Sequence, residues 1–227
     1  HLQHAGEILA KNRPAAIVWG VDLAKHPTGR RNVIGLINLQ LLLGNFGMPG
    51  GGLIPLRTQS NSQGACDMGG HPKFYPGYQA VGSEATRKKF EAAWGKSLPT
   101  KPGLTAVEMM AAAAEGKLRA LFILTEDVVA GSPADLNVRR SLHNCDFVVQ
   151  LTAFNSETSY YADVLLPGVT FAEKTGTFTN TERRIQMVHQ AIDPQGGARP
   201  DHRITSTGNV GEGPDMDDGR RVLDGLH

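Results

Sequence analysis

Cysteine is nearly absent. Of 227 residues only Cys66 and Cys145 carry thiols. So few, so far apart, exclude a disulfide framework, an iron–sulfur cluster held by this chain alone and a structural zinc site. An excess of charge of either sign is missing too. With 23 Lys and Arg against 22 Asp and Glu, no basic stripe is available to grip nucleic acid or a membrane surface. Long apolar runs are also lacking: Val33 to Leu43 falls well short of the roughly 20 residues that span a bilayer, so direct membrane insertion is not expected. No charged-then-apolar leader opens the chain, which starts at His1 rather than Met, and the expected location is cytoplasmic. What the chain does contain is 40% hydrophobic residues, enough for one large domain or parts of two.

The opening alternates element types. An apolar run at Ala16 to Gly20 predicts a strand, and Arg30 to Leu43 predicts a helix ended by the capping residue Gly44. Apolar residues wrap most of that helix (Val33, Ile34, Leu36, Ile37, Leu39, Leu41, Leu42), which predicts that it is buried. From Gly44 to Gly82 the periodicity is weak, and the embedded aromatic and aliphatic residues point to a long, ordered, ligand-lining loop. Then the grammar sharpens. Thr105 and Glu108 have capping-box spacing, so a helix runs from Ala106 and stops at Gly116. Strands follow at Leu118 to Leu124, Asp146 to Leu151 and Val164 to Leu166. Between them lie a helix opened by Ser132 and Pro133 and ending near His143, and a short helix near Ser156 to Tyr161. Alternation at these lengths predicts an α/β fold with a doubly wound, mostly parallel, dinucleotide-binding-like sheet. The expected domains are 1–57, the end of a preceding α/β domain; 58–205, the second α/β domain; and 206–227, a disordered or non-native tail rich in Gly and Asp.

Ligands of such sheets bind beyond the carboxyl ends of the strands. Glu126 and Asp127 fall after one strand and Gln150 at the end of the next. Carboxylates there can accept hydrogen bonds from a ribose or a guanine, or can simply form a solvated turn. In the long loop, Gly50, Gly51 and Gly52 allow close backbone approach to a ligand, and Arg57 supplies a planar fork for a carboxylate or phosphate. Gln59, Asn61 and Gln63 add amides able to pair with a heterocycle.

The order of residues is more specific than their types. Leu42-Leu43-Gly44-Asn45-Phe46-Gly47-Met48-Pro49-Gly50-Gly51-Gly52, Arg57-Thr58-Gln59-Ser60-Asn61-Ser62-Gln63-Gly64-Ala65-Cys66-Asp67-Met68-Gly69 and the later block Ala172 to Gln186 closely resemble molybdopterin oxidoreductases, with formate dehydrogenase catalytic subunits the nearest likeness. The resemblance covers roughly residues 13 to 204. It implies a bis-molybdopterin guanine dinucleotide carrying molybdenum or tungsten, with formate as substrate. Arg57 matches an arginine that contacts the substrate carboxylate and that relatives acting on nitrate commonly lack. Gln59 matches a glutamine on the pterin, Glu126 and Asp127 match a polar pair at the nucleotide end, Lys174 matches a lysine suited to a pyrophosphate or guanine oxygen, and Asn61, Gln150 and Asp201 are further cofactor-binding candidates. Leu151 departs from the pattern, standing where relatives often have aspartate. Asn180, Glu182 and Arg183 are read as scaffold. No metal ligand is assigned in this chain, Cys66 included.

The same resemblance places the [4Fe–4S] ligands, the metal-ligating cysteine or selenocysteine and the catalytic histidine in a region preceding the one present. The chain is therefore expected to be an internal fragment, inactive by itself, whose partners are the rest of the catalytic subunit and electron-transfer subunits. Two alternatives stand beside formate oxidation. One is a relative with another substrate, such as a nitrate reductase or the large subunit of a quinone-linked complex. The other is a truncated nucleotide-binding module without chemistry.

Overall fold

The computed structural model describes residues 1–132 and 136–206. The chain divides into two compact units, the first comprising His1–Met68 with Thr177–Gln186, the second Gly69–Gly176 with the remainder.

The first unit runs α1 (Leu2–Lys11), β1 (Ala16–Gly20), α2 (Asp22–Lys25), α3 (Gly29–Leu42), β2 (Gly52–Leu56) and α4 (Ser62–Asp67). β1 and the α3 helix stand where the apolar pattern puts them, and Gly44 follows α3 at φ 66°, a conformation that releases the helix end at no steric cost. β1 pairs parallel with β2, Ala16 opposite Gly52 and Gly20 opposite Leu56. Two expectations fail here. The segment after Gly44 is ordered but is not one long loop, because β2 and α4 form inside it. Nor is α3 buried: only Gly29 and Gln40 are, while Leu42 is 83% exposed. A helix apolar all round needs partners all round, and within this unit it has the β1–β2 pair on one side.

Gln40 is the polar residue that the helix buries, and its amide explains why. Nε2 donates to the carbonyls of Ala15 (2.9 Å) and Gly52 (2.5 Å), and Oε1 accepts from Asn45 Nδ2 (2.6 Å). Asn45 Oδ1 in turn accepts from the backbone N–H of Ala15 (3.2 Å). This fully satisfied pair fastens the starts of β1 and β2 to the end of α3. Gly51 permits it, since a Cβ there would lie 2.3 Å from the Asn45 carbonyl oxygen.

The second unit continues with β3 (Phe74–Tyr75), β4 (Gln79–Ala80), α5 (Glu84–Trp94), α6 (Ala106–Ala114), β5 (Ala120–Leu124), α7 (Val128–Gly131), α8 (Val138–His143), β6 (Phe147–Thr152) and β7 (Val164–Pro167). Thr105 and Glu108 close the capping box of α6, and Gly116 follows at φ 71°. β5, β6 and β7 form a parallel sheet in that order, with Gln150 flanked by Ile123 and Leu165. Met110, Ala113, Leu121, Ile123, Val129, Val138, Leu142 and Val148 make its core. Cys145 packs against them as a small core residue, and burial pushes its thiol pKa up. The helix expected from Ser132 differs: α7 precedes that residue, and α8 begins only at Val138 behind Asn137. The expected first helical residue, Pro133, lies outside the described residues. Tyr75, Val81 and Phe90 form a separate small core beside α5.

β8 (Gly176–Thr179) and β9 (Ile185–Val188) pair as a hairpin, and α9 (Asp201–Ser206) ends the described part. The tail expected over 206–227 lies, beyond Ser206, outside the described residues. Among the described residues no helix is long and apolar enough to cross a membrane.

Candidate functional site

In the first unit, Arg57 directly follows β2 and lines a cavity of about 70 Å³ together with Gln59, Ser60, Asn180, Thr181 and Arg183. Leu53 and Pro55 of β2 complete its apolar side. Arg57 is exposed, and among the described residues its guanidinium has no ion pair. Gln59 is exposed too and accepts from the Thr58 hydroxyl (2.7 Å). Asn61 is placed differently. Its Oδ1 accepts from the backbone N–H of Thr179 (2.9 Å), and its Nδ2 donates to the Thr177 carbonyl (3.2 Å). Gly64 makes room, because a Cβ there would sit 2.2 Å from Asn61 Oδ1.

Arg183, like Asn180, was expected to be scaffold and instead lines this cavity. Asn180 N–H donates to the Arg184 carbonyl (3.0 Å) and Arg183 N–H to the Asn180 carbonyl (2.9 Å). The three-residue loop they close carries Arg183 at φ 64°, the left-handed position where hairpins of this length favour glycine. A side chain there costs roughly 1–2 kcal/mol. No local signal in the sequence separates this arginine from Arg184, which pairs instead with Glu182 (3.4 Å).

In the second unit the expected nucleotide contacts gather at the carboxyl ends of the parallel strands but differ in what they have left to offer. Asp127 caps α7 and accepts from Ala130 N–H (3.2 Å), Glu157 N–H (3.3 Å), Thr158 N–H (3.3 Å) and the Thr158 hydroxyl (2.7 Å). That hydroxyl above all, with the backbone donors, holds its carboxyl below the usual aspartate range. Gln150 is fully buried. It donates to the Glu126 carbonyl (3.2 Å) and Ser156 Oγ (3.2 Å) and accepts from Ser159 Oγ (2.8 Å). Together the two side chains knit the turn after β5 to the turn after β6.

Glu126 and Asp201 retain free acceptors. Thr125, a β-branched residue at φ 52°, turns the chain sharply before Glu126, whose exposed carboxylate has no ionic partner among the described residues. Asp201 Oδ2 pairs with Lys174 Nζ at 2.5 Å, while its Oδ1 is buried without a hydrogen-bond partner. Gly168, just beyond β7, faces the same place: a Cβ would lie 2.6 Å from Leu151 Cδ2 and 3.4 Å from Asp201 Oδ1. Glu173, the residue before Lys174, accepts from Thr170 N–H and hydroxyl (both 2.8 Å) and from Gln195 N–H (3.0 Å). These bonds, the Thr170 N–H foremost, lower the Glu173 pKa.

Gly168 beyond the parallel strand end, an unsatisfied buried carboxylate oxygen among the described residues and a neighbouring lysine thus lie together where open α/β sheets offer hydrogen-bonding groups. The family profile described as molybdopterin oxidoreductase matches residues 4–207. The chain belongs to the molybdopterin oxidoreductase family. Among its relatives, a putative formate dehydrogenase YrhE of Bacillus subtilis is 42% identical over 185 residues, covering 82% of this chain and 19% of that protein. Formate dehydrogenase H of Escherichia coli is 37% identical over 206 residues, covering 90% of this chain and 29% of the relative. This molybdopterin oxidoreductase chain thus spans less than a third of the length of the curated relatives it matches. Acetylene hydratase from Pelobacter acetylenicus shares the fold, with a TM-score of 0.63 at 20% identity over 89% of this chain and 30% of that one.

Proposed function

We propose that the chain is the central, cofactor-cradling part of a molybdenum or tungsten formate dehydrogenase catalytic subunit. The observation that carries this reading is Arg57, a guanidinium at a strand end without an ion pair among the described residues, in a cavity whose other polar lining is amides, hydroxyls and Arg183, with no acid among the described lining residues. A planar fork of fixed charge suits a carboxylate, which it can bind through two parallel hydrogen bonds.

The cofactor proposed is bis-molybdopterin guanine dinucleotide. The residues fit it at the nucleotide end. Glu126 and the free Asp201 Oδ1 can accept from guanine N–H or ribose hydroxyl groups, and Lys174 can answer a phosphate or carbonyl oxygen. Gln59 is assigned to the pterin side. Asn61, Asp127 and Gln150, whose polar atoms are already paired within the protein, serve the cofactor by holding the loops that meet it. When bound, that cofactor would supply the two-electron acceptor for oxidation of formate to carbon dioxide and a proton. Arg57 orients the anion and balances its charge during that step. The [4Fe–4S] centre and electron-transfer subunits belong to the remainder of the enzyme.

The test uses the full-length gene product assayed for formate-dependent reduction of a viologen dye. Arg57→Lys should lower kcat/KM for formate about 10²-fold, and the 227-residue chain alone should turn over no formate. Turnover of nitrate in place of formate by the full-length enzyme would overturn the substrate assignment.

A further inference from the structure

Two arginines, not one, line the cavity beside β2, and nothing acidic lines it with them. Neither Arg57 nor Arg183 has an ion pair among the described residues, although Arg184, next in sequence, is paired. Two arginines without ion pairs among the described residues place like charge on one small cavity, and an anion bound there would offset it. Arg183 is also held at φ 64°, in a loop position that glycine fills more easily. An arginine kept where glycine is easier points to a use for its side chain. The size of the cavity limits what the pair can receive. One water needs roughly 10–15 Å³ of such space, so about 70 Å³ admits an ion of a few heavy atoms.

We propose that Arg183 is a second anion-binding side chain, which with Arg57 makes this cavity a two-guanidinium site for a small planar carboxylate. The inference rests on the reading of Arg57 given above and adds a residue that determines specificity. Ser60, Thr181, Gln59 and Asn180 supply the surrounding polar wall. One guanidinium can grip a carboxylate edge, and the second then decides which anions are held strongly enough to stay.

The experiment titrates the chain with carbon-13 formate at fixed ionic strength and follows broadening of the formate resonance, with thermal melting measured in parallel. Arg183→Gly should weaken formate binding about tenfold while the melting temperature stays the same or rises, because glycine adopts this backbone freely. Arg183→Asn, also tolerant of the left-handed region, should reproduce the loss, and Arg183→Lys should restore part of it. A purely structural arginine would do the reverse, lowering the melting temperature in both neutral variants and leaving the affinity of the folded fraction unchanged. Formate binding by Arg183→Gly and Arg183→Asn equal to that of the unaltered chain overturns the inference. If Arg57→Gln alone weakens binding, only the role of Arg183 falls; if the unaltered chain does not bind formate, the anion site falls with it. Inorganic phosphate run in place of formate separates the sources, and tighter binding of phosphate would overturn the carboxylate assignment in favour of a phosphate group.

Discussion

Replacing Asn61 by alanine tests whether that residue holds the hairpin or touches the ligand. The substitution removes the acceptor of the Thr179 N–H and the donor to the Thr177 carbonyl. The two are unequal. Thr179 is 7% exposed, so its N–H loses a partner that water replaces poorly, at a cost of about 1–3 kcal/mol. The bond to Thr177 is solvent-exposed and contributes about 0.5 kcal/mol at most. A total near 2 kcal/mol corresponds to a fall of roughly 4–8 °C in melting temperature for a chain of this length. Asn61→Asp keeps an acceptor for Thr179 and should lose less than half as much. Urea unfolding followed by circular dichroism measures both variants, with an unchanged slope required for the midpoints to be compared. An Asn61→Ala protein as stable as the parent would refute the reasoning, because a buried N–H cannot lose its acceptor for nothing. If such a protein then failed to retain cofactor in the full-length enzyme, Asn61 would be a ligand contact.

Three further outcomes are expected. Leu151, fully buried in β6, should cost about 3 kcal/mol on truncation to alanine, read as a shift of the urea midpoint. Gly51→Ala drives a Cβ into the Asn45 carbonyl and should destabilise by about 1–3 kcal/mol, with the damage visible as faster amide exchange in β1 and β2. The Asp127 carboxyl is held below its ordinary value near 3.8. Its stabilising contribution is complete above that ordinary value and disappears as pH falls through the lowered native one. The stability difference between the parent and Asp127→Asn should therefore be constant from about pH 7 to about pH 5 and shrink below that; a difference that grows on acidification would contradict the network.

What the sequence makes legible is what neighbours in sequence decide. β1, the capping box of α6 and the three strands of the parallel sheet are read correctly because each depends on residues within one or two turns of one another. β2 is not, because its glycine and proline carry no strand pattern, and it forms by pairing with β1 far away in sequence, with Pro55 set opposite Trp19. α5 is not among the sequence expectations, although both of its end signals are local: Ser83 caps its start and Gly95 ends it at φ 66°. The burial of Gln40 rather than the surrounding leucines depends on carbonyls contributed by two other segments. The same limit hides Arg183: its left-handed backbone comes from hairpin closure, and its share in the Arg57 cavity from a contact across more than half the chain.

The candidate site residues separate by what their polar atoms have left to give. Asp127, Gln150 and Asn61 have their main hydrogen bonds inside the protein, so losing one of them costs folding energy before it costs any ligand contact. Arg57, Arg183, Glu126 and Asp201 Oδ1 are unpaired among the described residues; the exposed charges exchange water for a ligand, and the buried Asp201 Oδ1 is satisfied only when a donor arrives. Substitutions in the first group should move stability and binding together, whereas those at Arg57, Arg183 and Glu126 should move binding while stability holds or improves; Asp201, which also pairs with Lys174, should move both. Melting and ligand titration on the same variants therefore sort the two groups without reference to turnover, and Arg183→Gly is the sharpest member of the set because its backbone strain predicts the two quantities to move in opposite directions.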